Sequence, residues 1–147
     1  MTKSYLINLF LLYLLASCTG SIRTDQVDFT QAFTDGNSKI WMTQKSISTN
    51  GAISYQPTLE QEVWVFYQSG NCLRTNLKKL AQGKGERGTM EFDHENKYLT
   101  LIFPKEHKKA AYAFEFTDEN QLNLFPLEGS DYTKALELIP FPEIILC

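Results

Sequence analysis

The chain has 147 residues, 43% of them apolar and 21% charged, with a formal net charge of −3. That length holds one domain with one core. The composition excludes a disordered tail and an all-apolar membrane protein, and the negative charge argues against a dedicated nucleic-acid binder. Two His and three Cys are too few for a metal cage without carboxylates, so no metal and no cofactor is expected. Aromatic residues at 13%, ten of them Phe and seven Tyr, lean toward β-structure.

The first residues read as an address. Lys3 gives a positive start, and Tyr5 to Ala16 is an apolar run broken only by Asn8. The run falls short of the ~20 residues a permanent transmembrane helix needs, and it suits a signal peptide. It ends in Leu15-Ala16-Ser17-Cys18. This ending resembles the lipobox of bacterial lipoproteins: Leu, two small residues, Cys. The resemblance implies cleavage before Cys18 and a diacylglycerol thioether on its sulfur, with a third acyl chain on the new N-terminus. Each buried methylene contributes ~0.8 kcal/mol, so several chains anchor firmly. An ordinary secretory signal that happens to contain Cys is the competing reading, and either one exports the protein. Thr19-Gly20-Ser21 carries no Asp after Cys18. By resemblance to enterobacterial lipoproteins, that favours the outer membrane. The acidic cluster of surface-exported Bacteroidetes lipoproteins is also missing, which favours the periplasmic face.

Four segments follow: a signal at 1–17, a lipidated linker at 18–38, a barrel domain at 39–140 and an apolar tail at 141–147. Loss of Lys3 with the signal takes the net charge from −3 to −4. Within the linker, Thr24 could cap a short helix bearing Val27, Ala32 and Phe33, ended by Asp35-Gly36. From there apolar residues alternate: Met90/Phe92, Leu99/Leu101/Phe103, Tyr112/Phe114/Phe116, Leu122/Leu124. Period two means half-buried strands. Eight are expected, near 39–48, 62–68, 72–78, 86–93, 97–103, 110–116, 121–127 and 133–140. Tight turns ending in Asn71, Asn96 and Asn120 repeat after Phe66, Phe92 and Phe116, with Asn expected to supply the left-handed backbone. Eight antiparallel strands in sequence order close into an all-β up-and-down barrel. Ser38-Lys39-Ile40-Trp41 after Gly36, with these hairpins, resembles the lipocalin-like domains of small Bacteroidetes lipoproteins. The resemblance implies that Trp41 lies near the barrel floor.

Successive connections alternate between ends in such a barrel. The tight turns share one end. The longer connections at 49–61, 79–86, 104–109 and 128–132 share the other, the expected mouth. Strand one begins at the tight-turn end, so a tether from Cys18 would arrive there. Lys78, Lys79, Lys84, Arg87, Lys105, Lys108 and Lys109 make a basic rim, opposed by Glu60, Glu86, Glu106, Glu128 and Asp131. Ligand or partner contacts are expected at Tyr55, Lys84, Arg87, Lys105, Lys108, Lys109 and Tyr132, against the plainer reading of solvated loops. Trp41 and Trp64 are expected in the core. Cys72 and Cys147 could form a disulfide, or Cys72 could stay a buried thiol. Pro140-Phe141-Pro142 reads as an extended tail, and Ile144-Ile145-Leu146 needs cover. No catalytic residues are expected: there is no Gly-x-Ser-x-Gly, phosphate loop or Cys-x-x-Cys, and Gln82 to Gly88 reads as a flexible hairpin connection.

Three roles fit. The first is a non-catalytic accessory subunit that contacts another envelope protein. The second is a lipocalin-like carrier of a small apolar or anionic ligand. The third is an envelope enzyme or enzyme inhibitor, for which no motif speaks. The large inward set of Trp64, Phe66, Met90, Phe92, Phe114 and Phe116 argues for a filled interior and thus for the first.

Overall fold

A computed structural model describes residues 29–54, 59–117 and 120–142. Helix α1 (Phe29–Thr34) leads into β1 (Ser38–Ile47), β2 (Ile53–Ser54), β3 (Glu62–Tyr67) and β4 (Asn71–Asn76). A four-residue helix α2 (Leu77–Leu80) precedes β5 (Glu86–Asp93) and β6 (Tyr98–Phe103). A 3-10 turn (Pro104–Glu106) joins β6 to β7 (Lys108–Thr117), followed by β8 (Gln121–Pro126) and β9 (Ala135–Pro140). The eight expected strands are all present within about two residues of their expected ends. The two-residue β2 is additional and pairs with the end of β1.

Every neighbouring pair is antiparallel, and β1 closes the sheet into a barrel. Its first half pairs with β3, from Ser38↔Tyr67 to Met42↔Val63. Its second half pairs with β9, from Trp41↔Pro140 to Ile47↔Ala135. Trp41 and Met42 pair with both neighbours at once, one through each edge of the strand, and a register shift interrupts the β9 ladder between Thr43 and Lys45. The result is a closed eight-stranded up-and-down barrel of lipocalin-like form. Gln61 Nε2 ties the next connection to the shifted segment by donating to the Thr43 carbonyl at 2.9 Å.

Alternation fills the barrel with side chains. Trp41, Trp64, Phe66, Leu99, Leu101, Phe103, Tyr112, Leu122, Leu124 and Leu138 are all at most 1% exposed and belong to one cluster. Phe116 is an exception to the expected inward set. It touches Phe33 and Trp41 but keeps 38% of its surface exposed at the barrel end.

Helix α1 seals the floor. Phe33 is fully buried, with ring centroids 4.9–5.3 Å from Phe66, Phe92, Phe114 and Phe116. Trp41 Nε1 donates to the Phe33 carbonyl at 3.0 Å, which satisfies a buried donor and an orphan helix carbonyl together. Trp41 therefore lies at the floor, as expected. Asp35 (φ 49°) and Gly36 (φ 81°) turn the chain into β1 at the expected stop. Residues 29–38 thus belong to the fold, and the barrel unit starts earlier than the expected linker boundary at 38. Thr24, Val27, the signal and Cys18 lie outside the described residues.

The turn chemistry differs from expectation. Neither Asn71 nor Asn96 is left-handed; Gly70 (φ 84°) and Lys97 (φ 56°) are. In the 93–97 turn Asp93 is the organiser. Its Oδ1 accepts from the Glu95 and Asn96 amides, and its Oδ2 accepts from Asn96 Nδ2 at 2.8 Å. An Asx-type bridge does the work expected of Asn.

Two substitutions probe the packing. Phe33→Ala removes the floor plug and is expected to cost about 3–5 kcal/mol in urea unfolding. A Cβ on Gly88 would sit 2.5 Å from the Ile102 carbonyl oxygen, so Gly88→Ala should cost about 1–3 kcal/mol by overpacking.

Candidate functional site: the charged mouth

Strand parity carries charge into the barrel at the loop end. Glu62 shares the inward side of β3 with Trp64 and Phe66. Arg74 faces Trp64 across the β3–β4 pair and Glu86 across β4–β5. Lys108 lies opposite Phe103. These four residues end the inward rows, so the aromatic core is topped by an ionic layer.

Arg74 organises that layer. Its Nε and Nη2 donate to Glu62 Oε2 at 3.0 and 2.9 Å, and its Nη1 donates to the Tyr132 hydroxyl at 2.9 Å. Glu86 Oε2 lies 3.6 Å from Nη1. The guanidinium sits 4.6 Å from the Tyr132 ring centroid and 5.7 Å from that of Trp64. Glu62 Oε1 accepts from Trp64 Nε1 at 3.0 Å. Side-chain exposures of 28% for Arg74, 19% for Glu62 and 14% for Glu86 place all three mostly out of water. Burial alone would lower the Arg74 pKa. Glu62, by charge and hydrogen bond, with Tyr132 and Glu86, raises it overall.

Tyr132 is placed by the β8–β9 connection. Ser130 Oγ accepts from the Ala111 amide and donates to the Tyr132 carbonyl, and Asp131 Oδ2 accepts from the Lys109 amide at 2.7 Å. These bonds staple the connection to β7 and set Tyr132 edge-on over Phe103, 5.9 Å between centroids. Burial raises the Tyr132 pKa.

Glu86 and Glu106 form a second element. Glu86 Oε1 is buried without a hydrogen-bond partner among the described residues. Burial, then the charge of Glu106, pushes the Glu86 carboxyl above its ordinary 4.5, with Arg74 opposing. Glu106 goes the other way, because Lys108 donates to it at 3.2 Å.

Around this layer lies an open cleft of about 860 Å³. Its walls include Glu60, Lys79, Lys84, Arg87 and Lys105 beside Glu62, Arg74, Glu86 and Glu106. Helix α2 forms one side. Asn76 caps it by accepting from the Lys79 amide at 2.8 Å, and Thr75 Oγ1 holds the returning chain through the Lys84 carbonyl at 2.7 Å.

The expected contact residues separate into groups. Lys84, Arg87 and Lys105 line the cleft. Lys108 is bound to Glu106 beside it. Lys109 does not line the cleft; its backbone holds the 127–134 connection. Tyr132 is correctly at the mouth, but it is half-buried beneath Arg74 and so supports the layer rather than meeting solvent. Tyr55 and Cys147 lie outside the described residues. Cys72 is a free, buried thiol that burial pushes up to about 12, which makes it inert as a nucleophile. Among the described residues, no group of three His, Cys, Asp or Glu could hold a metal ion. His94 is stacked on Phe29 at the floor, and His107 (φ 52°) ends the 3-10 turn at the mouth.

Sequence reasoning missed Glu62 and Arg74. Their signal was present: each falls on the core parity of its strand, two positions from Trp64 or Cys72.

No family model, curated protein or solved structure matches this chain. The functional reading therefore rests on the chemistry of the mouth and on the sequence signals.

Two outcomes test the layer. Arg74→Met leaves Glu62 and Glu86 without their shared cation and is expected to cost about 2 kcal/mol, below the fully buried case because the group keeps some water. Adding Glu62→Gln should recover part of that loss. Glu86 has a raised native pKa, so its stabilising neutral form is fully present in acid and is lost as pH rises through that value. Glu86→Gln should therefore be more stable than wild type at neutral pH, and the advantage should vanish below about pH 4. Thermal melts across pH read both.

Proposed function

We propose that this chain is a non-catalytic cell-envelope lipoprotein acting as an accessory binding subunit. Acyl chains on Cys18 hold it at the outer membrane, on the periplasmic face, and another envelope protein docks at the barrel mouth. The observation that carries this reading is the filled interior. Trp64, Phe103 and Tyr112 occupy the space that a small ligand would need, and the ionic layer closes it above. What is left for recognition is the outer surface, on which the mouth offers a concave cleft. The runner-up, a lipocalin-like carrier of an apolar or anionic molecule, needs interior room that these side chains take.

Orientation supports the same reading. Ser38 pairs with Tyr67 at the tight-turn end, and α1 covers that end. A tether of at most about 3.5 Å per residue between Cys18 and Phe29 would reach the floor. The mouth would then face away from the bilayer.

Cys18→Ala is expected to release the protein from the membrane fraction into the soluble envelope fraction. A photocrosslinking residue at position 84 should then capture protein in wild-type envelopes, and one at position 97 should not. A Cys18→Ala chain that stayed fully membrane-bound would overturn the anchor.

A further inference from the structure

The mouth keeps its acidic and basic groups in different states of engagement. Glu62 and Glu86 are held by Arg74, and Glu106 is held by Lys108. Three of the four carboxylates lining the cleft thus face an inner cation, Arg74 or Lys108, which leaves exposed Glu60. The outer cations are spent on nothing. Lys79, Lys84, Arg87 and Lys105 are exposed and make no ion pair among the described residues. The cleft is therefore locally cationic on a chain whose formal net charge is −3.

We propose that the cleft receives an acidic segment of a partner protein, whose carboxylates pair with Lys79, Lys84, Arg87 and Lys105. This rests on the accessory-subunit reading and names the chemistry of its partner. Charge complementarity is the first argument: unpaired cations around a concave wall, with three of the four nearby carboxylates already facing inner cations, attract carboxylates and steer their approach. The second argument favours a polypeptide over a lipid headgroup. Leu59 is 66% exposed and accepts from the Lys78 amide at the base of α2, beside Glu60 in the cleft wall. An apolar side chain next to the acidic residues would cover Leu59, and a segment of protein carries both kinds of group. Exposed lysines bear the rim, above a barrel whose interior is filled.

The test uses the full chain, solubilised in neutral detergent, with a fluorescent oligoglutamate peptide as probe and vesicles containing an anionic phospholipid as competitor. A carbodiimide crosslinker applied to intact envelopes gives the second readout, since it joins lysine amines directly to carboxylates. The variant Lys79→Glu/Lys84→Glu/Lys105→Glu alters side chains without partners, and unchanged near-ultraviolet circular dichroism confirms its fold. The expected result is salt-sensitive peptide binding that the variant weakens by about tenfold or more. Wild-type crosslinks should map to Lys79, Lys84 or Lys105 joined to Asp or Glu of a protein and should be absent in the variant. Equal peptide binding by variant and wild type would overturn the proposal. So would binding to the vesicles alone, which would assign the cleft to lipid. If a partner still copurified undiminished with the variant, the acidic-segment assignment would fall while the accessory-subunit reading stood. Loss of membrane attachment without Cys18 is read separately and bears on the anchor only.

Discussion

The fold depends on one strand having two partners. β1 pairs through one edge with β3 and through the other with β9, and the β1–β9 ladder joins the last strand to the first. Without that, the sheet would expose two long edges, and each strand would need only one buried face to be correct. With it, all inward residues share one space. Every other property follows from how that space is filled.

The filling is graded along the barrel axis. At the floor, α1 supplies Phe33 and a carbonyl for Trp41, so the end where a tether would enter is sealed by apolar contact. The middle is aromatic and aliphatic. At the mouth, the same inward rows end in Glu62, Arg74, Glu86 and Lys108; Arg74 bonds Glu62 and Tyr132 and faces Glu86, and Lys108 lies over the Tyr132 ring. A charged lid of this kind contributes little net stability, because desolvation offsets most of its attraction. Its consequence is electrostatic. It removes the inner carboxylates from competition and leaves the outer lysines uncompensated.

Much of this could be read in the sequence. Alternation located β5 to β8, because half-buried strands need period two whatever their neighbours, whereas β3 is a nearly continuous apolar run buried at four successive positions. Asp35-Gly36 marked the helix stop, and the structure gives both residues a positive φ. The turn residues were misassigned, because Asn71 and Asn96 advertise left-handed geometry by type alone. The local hydrogen bonds of Asp93 and the freedom of Gly70 took that role instead. The mouth was legible only in part. Lys84, Arg87 and Lys105 follow from loop position, but Glu62 and Arg74 lie within strands and become a pair only through the β3–β4 register. A charge on the core parity of a strand was the clue, and it needs the register to gain a partner. Lys109 shows the converse, since its loop position suggested a contact while its backbone is committed to Asp131.

Closure of the barrel can be measured strand by strand. Amide hydrogen exchange should find the β1–β9 ladder, at Met42, Glu137 and Ile139, as slow as the β6–β7 ladder at Leu99 and Tyr112. Fast exchange confined to β9 and the second half of β1 would mean an open sheet. In that case the sealed interior, the charged mouth and the exposed cations around it would all lose their basis.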